Sequence, residues 1–166
     1  MSVAIKGGDR LLAGLAATQA ALRTANAVSV GFFETSTYPA KARQGVTKRR
    51  KGRPAPADSD GPLYVAQVAF WNEYGTTRAP PRPFFRTMIA RKSPGWGVAL
   101  GKALKGRNFD ASGALALLGE AVNDQLVQSI VQWPADNAPY TVERKGFNKG
   151  LIDTGLMQRS TGYVVT

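Results

Sequence analysis

Residues 63–74 constrain the fold more than any other part of this chain. Their only polar members are Gln67, Asn72 and Glu73, so Leu63, Ala66, Phe70 and Tyr74 line one side of a helix while Val65, Val68 and Trp71 cover others. A helix that is apolar all round has to be buried all round. A single small domain rarely covers such a helix alone, which points to burial against neighbouring subunits. Asp60 or Ser59 suits the N-cap, Pro62 the first turn and Gly75 the stop, giving a predicted helix over 62–74. The following Ala79-Pro80-Pro81-Arg82-Pro83 forces an extended elbow, because a residue before proline is pushed out of helical conformation.

Other elements follow from periodicity. Asp9 can cap a helix over 9–26 that carries Leu11, Leu12, Leu15 and Leu22 at helical spacing. The alternation of Val28, Val30 and Phe32 predicts a strand over 27–34. Phe84, Phe85, Met88 and Ile89 open a short helix to about Lys92; Ser93 and Pro94 read as the cap and first turn of another, with Trp96, Leu100, Ala103 and Leu104. Asp110 or Ser112 caps an amphipathic helix bearing Leu115, Leu118, Val122, Leu126, Ile130 and Trp133, closed by Pro134. Asp153 and Thr154 start a short helical piece to Arg159, and 163–165 alternate as a second strand beside 27–34. The expected fold is α+β, a small antiparallel sheet packed with several α-helices, in one domain over 1–166 with a long basic loop at 35–61.

Composition narrows the chemistry. With 166 residues and 43% hydrophobic content the chain can bury one real core. It has no apolar run of about 18 residues or more, and no small-residue cleavage site follows its N-terminal stretch, so a soluble, unexported protein with no membrane partner is expected. The absence of Cys and His removes disulfides, thiolate metal sites, the commonest catalytic base and the commonest metal ligand. There is no dinucleotide fingerprint, P-loop or acidic metal loop. Glu73, Glu120, Asp124, Asp136 and Asp153 show no paired-carboxylate spacing, and Ser129 and Ser160 lack a base partner. Glu73 reads instead as a hydrogen-bonding residue at a helix end, or as the partner of Arg78, Arg82 or Arg86. No enzyme, cofactor or metal site is expected.

The net charge of +11 is concentrated. Lys41, Arg43, Lys48, Arg49, Arg50, Lys51 and Arg53 stand together with no acid between 39 and 57. Clustered cations of this kind neutralise phosphates, so Lys48, Arg49, Arg50, Lys51 and Arg53 are candidates for nucleic-acid contact. With no aromatic among them, such contact would grip the backbone and read no bases. The competing reading is a solvated surface loop. The aromatics around the elbow read either as plain core or as an interface. Aromatics together with Arg favour the latter, with Phe70, Trp71, Tyr74, Arg82, Phe84 and Phe85 as the candidate subunit contact.

These residues also carry a resemblance. VAFWNEYGT followed by PPRPFFRTMI resembles the tail-completion and virion-morphogenesis proteins of tailed bacteriophages, minor tail protein Z among them, in the apolar helix, the Asn-Glu-aromatic-Gly-Thr and the Pro-Arg-Pro-Phe. GLIDTGLMQRSTGYVV is similar to the ending of that family. The matching positions are Asn72, Glu73, Tyr74, Gly75 and Thr76, then Pro81, Arg82, Pro83, Phe84 and Phe85, then Leu151, Ile152, Thr154 and Gly155. The resemblance implies a structural α+β subunit of the virion neck or tail top, assembled in the host cytoplasm. It implies a homo-oligomeric ring, a hexamer by analogy, around the DNA channel, in contact with neighbouring connector and tail proteins. It assigns the matched residues to folding and assembly. The tail terminator and a nucleic-acid-binding module acting through 41–53 stand as the alternatives. The basic loop departs from the family pattern, so its contact with packaged DNA is an inference from charge alone.

Overall fold

The computed structural model describes residues 8–39, 61–77 and 79–166, and shows an α+β fold. Among the described residues are α1 (Gly8–Leu22), β1 (Val28–Phe32), α2 (Val65–Tyr74), α3 (Phe84–Gly106), α4 (Ala111–Val131), α5 (Pro139–Lys145), α6 (Leu156–Arg159) and β2 (Thr161–Val165). The five basic-loop candidates, Lys48, Arg49, Arg50, Lys51 and Arg53, lie outside the described residues, as do Asp60, Ser59 and Arg78.

The two strands pair antiparallel as expected, with Val28 opposite Val165 and Phe32 opposite Thr161. α1 stops at Leu22, earlier than its pattern predicts, because the following residues are taken up elsewhere. Thr24 Oγ1 donates to the Ala21 carbonyl, Ala25 is buried, and the Asn26 and Ala27 amides both donate to the Thr166 carbonyl at 2.7 and 3.0 Å. The strand ladder thus begins where the helix would have continued.

α4 is the spine. Ala114, Val122, Leu126 and Ile130 form its buried stripe, at the three-to-four spacing of a helix face. Gly119 sits on this stripe where the sheet crosses. A Cβ there would lie 2.6 Å from the Tyr163 ring and 2.7 Å from a Val28 methyl, so only glycine lets sheet and helix approach this closely. The core around it combines Val65, Ala69, Phe84, Met88, Leu126, Ile130, Leu151 and Met157. Phe84, Leu126, Ile130 and Val65 are its largest fully buried side chains, each contributing about 1.5–3 kcal/mol by leaving water.

Two sequence expectations are corrected here. Ser93 and Pro94 do not start a new helix, because α3 runs through them for 23 residues. Proline removes one backbone hydrogen bond and crowds the preceding turn; α3 carries that penalty while it packs along α4, where Trp96 Nε1 donates to Gln125 Oε1 at 2.9 Å. Nor does Pro62 lie in the first turn of α2. The Leu63 carbonyl accepts from the Tyr38 amide at 2.8 Å, and the Val65 amide donates to the Ser36 carbonyl at 2.9 Å. With Thr37 bridged to Tyr64, these bonds hold 63 and 64 extended until Val65.

Candidate assembly surface

The chain alone does not cover α2 on all sides, as expected for an apolar helix in a domain of this size. Its inner side presents Val65, Ala69 and Glu73 to the core. Phe70, Trp71 and Tyr74 lie in solvent at 59, 41 and 55% exposure. The Phe70 and Tyr74 rings sit 4.7 Å apart between centroids, and the Arg86 guanidinium lies 4.7 Å from the Tyr74 ring centre. Such a cation over an aromatic face is attracted by the ring quadrupole.

The buried side of α2 is held by Glu73, which is only 5% exposed. Its Oε2 accepts the Phe85 amide at 2.9 Å, and its Oε1 accepts the Arg86 amide at 3.0 Å and Arg86 Nε at 2.8 Å. Arg86 Nη2 also donates to the Glu73 carbonyl at 3.0 Å. The N-cap position of α3 is Pro83, which makes no side-chain capping bond. Glu73 therefore supplies from α2 both the acceptor oxygens and the negative charge that a helix N-terminus favours. The pairing with Arg86 and the helix-end role follow the sequence reading.

The connection between α2 and α3 is equally fixed. Gly75 has φ 79°, and a Cβ there would stand 2.9 Å from the Pro81 nitrogen. Thr76 and Ala79 bridge at close range. The Arg82 amide donates to the Asn72 carbonyl at 2.6 Å, Arg82 Nη1 to Asn72 Oδ1 at 3.3 Å, and Arg82 Nε to Asp136 Oδ2 at 2.8 Å. Trp133 Nε1 also donates to Asp136 Oδ2, at 3.1 Å. Burial pushes the Asp136 carboxyl up, but the hydrogen bonds from Arg82 and Trp133 and the guanidinium's charge outweigh it and hold the group below the ordinary carboxylate value.

The six candidate contact residues therefore divide. Phe70, Trp71 and Tyr74 are exposed, and Phe85 is half-buried along the groove beside α2. Phe84, at 1% exposure, belongs to the chain's own core, edge-on to Phe32 at 6.3 Å. Arg82 is engaged within the chain by Asn72 and Asp136. Neither offers a surface to a neighbour. Sequence reasoning missed the leucines of α1, which it assigned to an ordinary helix face. Leu11, Leu12, Leu15 and Leu22 are all exposed.

Beside α2 lies a groove of about 270 Å³ whose lining includes Phe32, Ala66, Phe70, Tyr74 and Phe85. A wider depression lined by Glu34, Thr37, Tyr64, Ala66 and Gln67 adjoins it through Ala66. Among the described residues no group of His, Cys, Asp and Glu is arranged to hold a metal ion, and no helix is long and apolar enough to cross a membrane. The chain matches no family model, no curated protein and no solved structure.

Proposed function

We propose that this chain is a structural subunit of the head-tail joining region of a tailed bacteriophage, a tail-completion or neck protein. Copies of it form a ring around the DNA channel, and the ring joins connector to tail. The observation that carries this reading is the division of labour within the motifs behind the resemblance. Glu73, Gly75, Arg82, Phe84 and Leu151 are all engaged in holding the chain together, while Phe70, Trp71 and Tyr74 project from the helix they brace. A rigid, exposed aromatic cluster beside Arg is the composition of an interface centre. In a ring each copy presents two different faces, because a head-to-tail contact closes only when the faces are complementary.

The experiment is the solution mass of the purified protein by size exclusion with light scattering, with and without duplex DNA. A closed oligomer without DNA is expected, and changing both Phe70 and Tyr74 to Ser is expected to shift it toward monomer by at least tenfold in assembly constant, since anchor residues are each worth about 2 kcal/mol or more. A stable monomer whose mass changes only with DNA, in a salt-sensitive way, replaces this reading with that of a nucleic-acid-binding module.

A further inference from the structure

The cations at 41–53 do not account for all of the net charge of +11. α3 carries Arg86, Arg91, Lys92, Lys102 and Lys105 over its 23 residues, and no Asp or Glu. Arg86 is committed to Glu73. Arg91, Lys102 and Lys105 are exposed, and among the described residues none of the three forms an ion pair, with the α4 acids Glu120 and Asp124 or with any other. Together with Gly95 and Val98 they follow a spacing of 4, 3, 4 and 3. At about 100° per residue this keeps all five within an arc of about 80°. Trp96, whose Nε1 donates to Gln125 of α4, lies about 100–180° around the helix from that arc, so the stripe faces away from α4.

We infer that this stripe of α3 is a contact surface for the phosphate backbone of duplex DNA, separate from the cationic cluster at 41–53. The inference rests on the reading above only in placing duplex DNA within reach of the subunit, and it adds which described surface meets it. At 1.5 Å per residue, Arg91 stands about 17 Å from Lys102 and about 21 Å from Lys105 along the axis. The major groove of a duplex is about 12 Å wide. A helix laid across its mouth sets Arg91 on one phosphate wall and Lys102 with Lys105 on the other. Gly95 and Val98, between them, have no hydrogen-bonding side chain, so the base edges go unread and the contact is independent of sequence.

The residues between the cations select the partner. A helix lying on a membrane surface needs bulky apolar side chains to insert beside its cations, and a protein face is held through large anchors near its centre. Here the centre is Gly95 and Val98, with Pro94, Gly97 and Ala99 exposed alongside. The one large aromatic nearby, Trp96, is turned toward α4. Attraction must therefore come from charge. A duplex supplies it at one phosphate per about 1.7 Å of axis, together with the release of condensed counterions.

The test is a fluorescence-anisotropy titration of the full chain against a mixed-sequence duplex of about 30 base pairs, repeated over a range of salt. Arg91→Gln, Lys102→Gln and Lys105→Gln together are expected to weaken binding roughly 100-fold at about 0.1 M salt. They should lower the slope of log affinity against log salt by about 2.7, three contacts at about 0.9 each. Arg10→Gln, Arg23→Gln and Lys149→Gln remove the same charge from exposed positions elsewhere and should change that slope by less than about 1. The exchange Arg91→Lys, Lys102→Arg and Lys105→Arg should preserve it. Equal losses in the two Gln sets make net charge the cause and overturn the inference. So does a slope that the α3 set leaves unchanged, a loss confined to anionic lipid vesicles, or an unmodified chain with no duplex affinity at about 50 mM salt. Light scattering on the same samples separates this from the ring. A monomer whose slope depends on α3 ends the ring reading and keeps the inference, whereas a closed oligomer whose slope does not depend on α3 does the reverse.

Discussion

Glu73 joins three tasks in one side chain: it packs against the core, caps α3 and pairs with Arg86. Replacing it by Ala leaves two helix-terminal amides without an acceptor and removes a charge-assisted bond, so a loss of about 2–4 kcal/mol is expected in urea unfolding. Glu73→Gln keeps an acceptor oxygen and should lose about half as much. Asp136 gives a pH signature. Its folded pKa lies below the 3.8 of the free group, so the folded state favours the ionised form, and the stabilisation is complete above 3.8. It is lost as pH falls below 3.8 through the folded value. Asp136→Asn should therefore flatten the dependence of melting temperature on pH in that acid range while leaving the slope above pH 5 unchanged.

At the scale of elements, α3 carries an interior proline at an exposed position. Pro94→Ala restores a hydrogen bond and relieves a steric clash, with an expected gain of about 1–3 kcal/mol in the same unfolding measurement. How far such elements were legible depends on where their determinants lie. The α4 stripe and the antiparallel strand pair could be read directly, because periodicity is local and both faces of each element differ. Gly75 as the stop of α2 and Thr154 at the start of α6 were legible too, but the N-terminal caps of α3 and α4 were not. α4 is capped by Thr24, 88 residues away, and α3 by Glu73, whereas the local candidate Asp110 makes no side-chain capping bond. The pattern of α2 left open which side faces the core, because hydrophobicity alone does not distinguish Val65 and Ala69, which fill it, from Phe70 and Trp71, which do not. The polar Glu73 is more deeply buried than either aromatic. The sequence offered one usable signal for this inversion, an acid set among apolar neighbours one elbow before Arg82 and Arg86.

For the molecule as a whole, the segment holding the cationic cluster leaves and re-enters at one place. Tyr38 to Leu63, Val65 to Ser36, and the Thr37–Tyr64 bridge close a seam across its base. Replacing residues 40–60 by a four-residue turn should leave the helical circular dichroism intact. It should raise stability by about 1–2 kcal/mol, since a shorter loop loses less entropy on closure. The clasp is made of main-chain bonds between residues 36–38 and 63–65, so it is indifferent to which side chains stand in the cationic cluster, and the charge carried there can drift in evolution while the two chain ends stay clamped together.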